Sequence, residues 1–235
     1  MAGTAGAAGV AGAAVTASVV ERSQRGGALD ASPLAWFTVA GVIVYLAVDV
    51  LLKFLRPGYS LLYNAESDYG RGAWFWVMDL NFLLRCALSL AVAAALAKAA
   101  RPDSRLRAGL ILLAVWAVCS GLLAFFADDV EGTPQHGSGL VHLGLAFIAF
   151  VCVAVGTILA SAGLRSDPAW RRIGSVLLAI SVAGGAAFLL LGTAAGHKHA
   201  PGGLYERIFL GVELAWITVA ACGVMVRRRP GPEPA

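Results

Sequence analysis

Charge is scarce in this chain. Of its 235 residues only 14% are Asp, Glu, Lys or Arg, against about 25% in soluble globular proteins. That deficit excludes a disordered chain, a basic nucleic-acid binder and an ordinary soluble enzyme. There are four cysteines, Cys86, Cys119, Cys152 and Cys222, all inside apolar stretches and none in CxxC spacing. A zinc site or disulfide framework is therefore not expected, and the thiols read as small packing residues. Runs of alternating polar and apolar residues are missing, which excludes a β-barrel. The first twenty residues hold no charge, but they are Ala, Gly and Thr without a basic n-region or a Leu-rich core, so they do not read as a signal peptide. Residues 1–32 are instead expected to be a flexible cytoplasmic tail, with a weakly helical surface segment as the alternative. No internal repeat divides the chain into equivalent halves, which leaves an inverted-repeat transporter without support.

The remaining composition is dominated by apolar residues, 59% of the chain, with a mean hydropathy of +0.76. Six segments reach the roughly 20 residues needed to cross a bilayer as a helix. They run over about 35–55, 75–97, 106–127, 139–162, 172–194 and 204–226, and each is bounded by Pro, Gly or charges. A backbone in lipid must satisfy its own hydrogen bonds, so these segments are expected to be helices. The predicted fold is all-α: a polytopic six-helix transmembrane bundle over 33–226, followed by a basic, Pro-rich tail at 227–235. Short connections favour sequential antiparallel packing. Small residues at Ala117/Gly121, Gly156/Ala160 and Gly184/Gly185 allow close helix approach. Orientation follows from Lys and Arg. A cytoplasmic N-terminus puts twelve of them on inner segments, among them Arg101, Arg105, Arg107, Arg171 and Arg172, and five on outer ones, with Arg85 inside a helix. That bias predicts both termini in the cytoplasm and a multi-pass protein of the plasma membrane. The +4 net charge is thus an orientation signal and implies no nucleic-acid partner.

The acids and histidines are distributed unevenly. Asn64, Glu66, Ser67, Asp68, Asp128, Asp129, Glu131, His136, His142, His197, His199 and Glu206 all fall in the predicted outer connections or the adjoining helix ends. These residue types bind metals, move protons or activate nucleophiles. Glu206 and Glu213 are seven apart and share a helix face. Glu213 then lies two turns into the apolar region, either as a functional carboxylate or as a protonated side chain bonded to a neighbouring helix. Asp49 and Lys53, four apart, suggest a local ion pair. Asn81 and Arg85 share a face, which points Arg85 into the bundle. His136 and His142 do not match a tight ligand spacing such as HExxH. Asp129, His142 and a loop histidine such as His136 are the candidates for a divalent metal, which the motifs do not favour. Ser67 and Asp68 with His142 have the side chains of a nucleophilic site but no GxSxG setting; capping of backbone amides before the second helix by Asn64, Ser67 and Asp68 is the better reading for Ser67. Tyr59, Tyr63, Tyr69, Trp74 and Trp76 around the first outer loop suit a bilayer interface.

Three stretches together carry a family resemblance: RPGYSLLYNAESDYGRG at 56–72, FFADDVEGTPQHGSGLVH at 125–142 and LYERIFLGVELAW at 204–216. Their order and spacing resemble the bacterial membrane proteins grouped as domain of unknown function 998, over roughly residues 35–226. Asn64, Ser67, Asp68 and Gly70 match an NxxSDxG element. Phe126, Asp129, Gly132 and His142 match an FPTDxxG element followed by a histidine, while Ala127 and Asp128 depart from its Pro and Thr, so the local turn is expected to differ. Glu206, Arg207 and Trp216 match an ER pair leading into a helix with a tryptophan. The family is distantly similar to FRAG- and DRAM-like membrane proteins. The resemblance implies a six-helix topology and a shared site, and it implies no reaction.

Three functions follow from these residues. The first is binding of a lipid or other amphiphilic small molecule at an outward-facing acid/His site, through Asn64, Ser67, Arg207, Glu213 and Trp216. The alternative is a membrane-embedded enzyme, a hydrolase or an acid-catalysed isomerase or cyclase, acting on a lipid or isoprenoid. There Asp68, Asp129 and Glu206 are the acid/base candidates, His142 the proton carrier or metal ligand, and Arg207 an anion clamp. A transporter component is a third possibility, hinted at only by Asp49, Asp79, Arg85 and Glu213. The binding reading is the one taken forward.

Overall fold

The computed structural model describes residues 31–130, 133–134, 136–194, 197 and 200–227. Six long helices account for most of them: α1 Ala31–Leu55, α2 Phe75–Ala99, α3 Ser104–Leu122, α4 Gly137–Ser166, α5 Arg171–Ala194 and α6 Gly202–Val226. All six are long and apolar enough to cross a bilayer, and the chain is a multi-pass integral membrane protein. The tails expected at 1–32 and 227–235 lie almost wholly outside the described residues, as do Glu131, Lys198 and His199. Of the N-terminal tail only Ala31 and Ser32 are described, and both belong to α1.

Helices α2 to α6 each pack on the next, and α6 returns to α2, closing a ring. α1 lies against α2: Tyr45 and Val42 share a core with Leu88 and Val92, and the amide of Asn81 donates to the Tyr45 carbonyl at 3.4 Å. Side chains such as Phe54, Leu189 and Phe147 point outward, 76%, 73% and 64% exposed. In lipid this is a satisfied surface.

Small residues set the closest contacts. At Gly109 an added Cβ would collide with the backbone of Ala160 and Gly156, so α3 and α4 meet backbone to backbone. Gly156 and Ala160 therefore serve the close approach expected of them. Gly184 does so against Glu213 of α6, whereas Gly185 faces open space. The four cysteines are free.

The two ends of the bundle differ. One end carries the short connections 100–103 and 167–170 and holds Arg101, Arg105, Arg171 and Arg172; it is called the basic end below. Asp103 caps α3 there, accepting the N–H groups of Arg105 at 2.9 Å and Leu106 at 3.1 Å. Asp167 accepts from Ala169 at 3.0 Å and from Arg101 at 3.4 Å, tying the two connections together. The opposite end, called the acid end, carries the 56–74 connection and those before α4 and α6. Here the 56–74 segment turns into the bundle instead of standing off it. Its one-turn 3-10 helix Ser67–Gly70 is buried at Asp68, Tyr69 and Gly70. The chain then enters α2 through two left-handed residues, Gly72 (φ 68°) and Trp74 (φ 67°). A non-glycine residue in that region is unusual and marks a tightly determined turn.

Candidate functional site

Three stretches of sequence meet at the acid end. Arg71 donates to the Asp68 carboxylate, 16% and 6% exposed at the side chains, and also to the Asp129 carbonyl, so it links the 56–74 segment to the segment before α4. The N–H of Leu204 donates to the Leu62 carbonyl at 3.1 Å, and Gly203 packs so closely on Asn64 that a Cβ would strike its carbonyl. Arg207 donates through one nitrogen to the carbonyls of Asn64 at 2.7 Å and Gly203 at 3.1 Å, and lies over the Tyr69 ring at 5.8 Å. It therefore anchors the first segment onto α6. Its Nε and second Nη remain buried without partners.

Within the 56–74 segment Asn64 and Asp68 bond backbone amides, whereas Ser67, for which capping is the better reading from sequence, makes no side-chain hydrogen bond to a described residue. Asn64 Oδ1 accepts from Ser60 at 2.9 Å and Asp68 Oδ2 from Ala65 at 3.0 Å. These amides lie inside the loop itself, whereas Trp74 at the start of α2 has no side-chain cap. Burial pushes the Asp68 carboxyl above the usual carboxylate range, opposed by the Arg71 guanidinium and reinforced by Asp128. Tyr69 stacks on Tyr59 at 5.0 Å, and burial raises its hydroxyl while Arg207 opposes the rise. Of the five aromatic residues around the loop, Tyr63, Trp74 and Trp76 are the exposed ones.

Asp129 organises the start of α4. Its Oδ2 accepts the His136 N–H at 2.6 Å, and its carboxylate fills the space a Cβ on Gly139 would occupy. A negative group is favourable at this helix N-terminus. One turn further in, His142 Nδ1 lies 2.7 Å from the Phe126 carbonyl. A carbonyl oxygen only accepts, so Nδ1 carries the proton and Nε2 of the neutral ring is an acceptor. That Nε2 is buried and has no partner among the described residues.

A polar network lies directly beneath the loop. Tyr45 Oη donates to Glu66 Oε1 and accepts from Arg85 Nη1 at 3.1 Å. The Glu66 N–H donates to Glu206 Oε2 at 3.2 Å. Tyr45, Glu66, Arg85 and Glu206 are all buried. Arg85 does line the interior as its spacing with Asn81 predicts, stacked near the Phe82 ring at 5.3 Å. The Asp49–Lys53 ion pair does not form. Lys53 turns away to the Tyr59 carbonyl, and Asp49 Oδ1 is buried alone.

Glu66, Ser67, Arg85, Asp128, His142 and Glu206 line a chamber of about 170 Å³. A larger cleft of about 580 Å³ adjoins it, with Asp128, Leu143, Phe150, Leu191 and Glu206 common to both. The cleft runs between α4, α5 and α6. Its wall is apolar at Phe147, Phe188 and Leu191, and Asp68, Asp128 and Asp129 stand at its polar end. Leu143 and Phe147 on its α4 rim are also lipid-facing, 53% and 64% exposed.

Of the residues singled out from sequence, Ser67, Asp68, Asp129, His142 and Glu206 thus reach the chamber or cleft, and Asn64 and Arg207 hold the loop beside it. Glu213 and Trp216 are elsewhere. Glu213 is buried against Gly184, 2.5 Å from the position of a Cβ there, and neither carboxyl oxygen has a partner. Trp216 donates to Ser161 Oγ at 2.9 Å, which in turn meets Ser181 Oγ at 3.1 Å. His136 bonds through its backbone and is exposed. Among the described residues no three His, Cys, Asp or Glu side chains converge as a metal site. Sequence reasoning overlooked Tyr45, which reads as an ordinary helix aromatic; its only signal is a position one turn from Asp49 on the same face.

Among the curated proteins and the solved structures, none matches this chain. The family comparison does match. The segments that converge at the acid end, with the helices that carry them, lie within residues 39–223, and over those residues the chain belongs to the family described as protein of unknown function (DUF998).

Proposed function

We propose that the protein binds a lipid or other amphiphile, with its chain in the cleft between α4 and α5 and its headgroup at the chamber. The observation that carries this reading is the continuity of a lipid-facing apolar cleft with a small buried chamber lined by acids, a histidine and an arginine. Ligand sites combine an apolar wall with a few convergent polar groups in this way. Glu206 is four residues into α6 and His142 five residues into α4, about 6–8 Å from the helix ends at 1.5 Å per residue. That depth suits a headgroup at the membrane interface. The Lys/Arg bias supports cytoplasmic termini, and with them a cleft in the outer leaflet of the plasma membrane.

Gly192 lines the cleft and has open space around it, whereas Gly185, on the same helix, has open space but does not line it. Gly192→Trp should fill the cleft without displacing its neighbours. Mass spectrometry of molecules copurifying with the protein is expected to find an amphiphile on wild type and on Gly185→Trp that Gly192→Trp has lost. An identical profile for all three overturns the reading.

A second reading, catalysis on the bound amphiphile, is supported by the free acceptor on His142 beside Glu206. A paired acid and base is what proton transfer requires. Conversion of the copurifying molecule on incubation with wild type but not with His142→Ala distinguishes catalysis from binding.

A further inference from the structure

The hydrogen-bonding inventory of the chamber goes one step beyond amphiphile binding, on which it rests. His142 presents Nε2 as an acceptor, because Nδ1 already donates to Phe126. The side chain is 3% exposed and has no partner at that nitrogen among the described residues. Glu206 gives one oxygen to the Glu66 N–H, and its other oxygen takes no hydrogen bond from a described residue. Asp128 is alike: Oδ1 accepts from the Asp129 N–H at 2.8 Å and Oδ2 has no described donor.

The cations nearby make bonds elsewhere, although Arg85 Nε and Arg207 Nε and its second Nη have no partner among the described residues. Arg85 donates to Tyr45, which itself donates to Glu66. Arg71 pairs with Asp68, and Arg207 is held on loop carbonyls. No Lys or Arg lines the larger cleft, whereas Asp68, Asp128, Asp129 and Glu206 do. Asp128 and Glu206 thus stand where chamber and cleft meet, and His142 Nε2 faces the chamber side, each with an acceptor atom that takes no hydrogen bond from a described residue. Leaving the buried His142 Nε2 unmet is costly, and a bound group carrying several N–H donors and a positive charge meets it together with the two carboxylates.

We infer that Glu206 and Asp128 at the junction, with His142 Nε2 on the chamber side, select an amphiphile whose headgroup carries a primary ammonium. A quaternary ammonium carries the same charge but no N–H donor. A glycerol headgroup on a phosphate has donors but the wrong charge. These three chemistries separate donation from charge.

The test is native mass spectrometry of the full-length, detergent-solubilised protein titrated with phosphatidylethanolamine, phosphatidylcholine and phosphatidylglycerol of matched acyl chains. The ethanolamine lipid is expected to bind about tenfold more tightly than either of the others, the size of effect of one charge-assisted hydrogen bond. Asp128→Asn and Glu206→Gln keep the side-chain shape and should each reduce that preference to threefold or less. Either variant alone suffices should the other fail to fold. Equal binding of the ethanolamine and choline lipids overturns the donor argument, and equal or tighter binding of the glycerol lipid overturns the charge argument. In both cases a loss of all three lipids in Gly192→Trp leaves the cleft itself as an amphiphile site. Binding of all three that Gly192→Trp does not weaken overturns the site as well.

Discussion

The backbone N–H of Glu66 donates to the carboxylate of Glu206 at 3.2 Å, across 140 positions of sequence. This contact fastens the buried 3-10 turn to the start of α6, and the roof of the chamber depends on it. Glu206→Ala leaves a buried N–H without an acceptor, which costs about 1–3 kcal/mol. Thermal unfolding in detergent should show the loss, and limited proteolysis should show faster cutting within 56–74. Glu206→Gln retains an acceptor and should lose less than Glu206→Ala; equal losses would contradict the assigned contact.

Gly203 is where the loop and α6 come closest. Gly203→Ala forces its methyl group into the Asn64 carbonyl, and overpacking of this kind costs about 1–3 kcal/mol. Gly211, on the same helix, has nothing within 4 Å. Gly211→Ala should be neutral or slightly stabilising, since Ala favours the helix. Comparing the two unfolding midpoints checks the loop placement.

Asp68 supplies a pH signature. Burial raises its carboxyl above the unfolded value, so the folded state holds the proton more tightly. Its contribution to stability is full below the ordinary carboxylate value of about 4 and is lost as pH rises through the raised value. The stability of wild type relative to Asp68→Asn should therefore fall as pH is increased over that window. A relative stability that grows with pH would show that the Arg71 bridge outweighs burial.

Trp216 tests the core away from the site. Trp216→Phe removes a hydrogen bond to Ser161 between α6 and α4, and bonds of this type within membrane bundles average about 0.6 kcal/mol. A loss near that size, with the amount of copurifying amphiphile unchanged, is expected. Loss of the amphiphile would return Trp216 to the ligand-binding set.

How much of this is legible in the letters depends on the range of the interaction. The helices are, because an apolar run in lipid has no other stable form. Their ends shift by a few residues. Ala31 and Ser32 already belong to α1, and α4 reaches Ser166 because polar residues are tolerated where a helix leaves the apolar region. The uneven placement of acids and histidines is also legible, and five of the candidates do converge. The Asp49–Lys53 pair fails because Lys53 has a loop carbonyl within reach, which helix spacing does not reveal. Tyr45, Glu66 and Arg85 form their network across two helices and a loop, and no local pattern marks such a contact. Glu66 in particular sits among residues typical of a solvated loop, and only the inward fold of 56–74 buries it.

The central claim is that an amphiphile occupies the cleft between α4 and α5. Crosslinking with a lipid carrying a photoactivatable acyl chain, mapped by peptide mass spectrometry, tests it most directly. The account predicts saturable adducts on the cleft segments 143–150 and 188–194, competed by unlabelled lipid and abolished by Gly192→Trp. Non-saturating adducts centred on the outward face of α1 around Phe54, unaffected by Gly192→Trp, would contradict it.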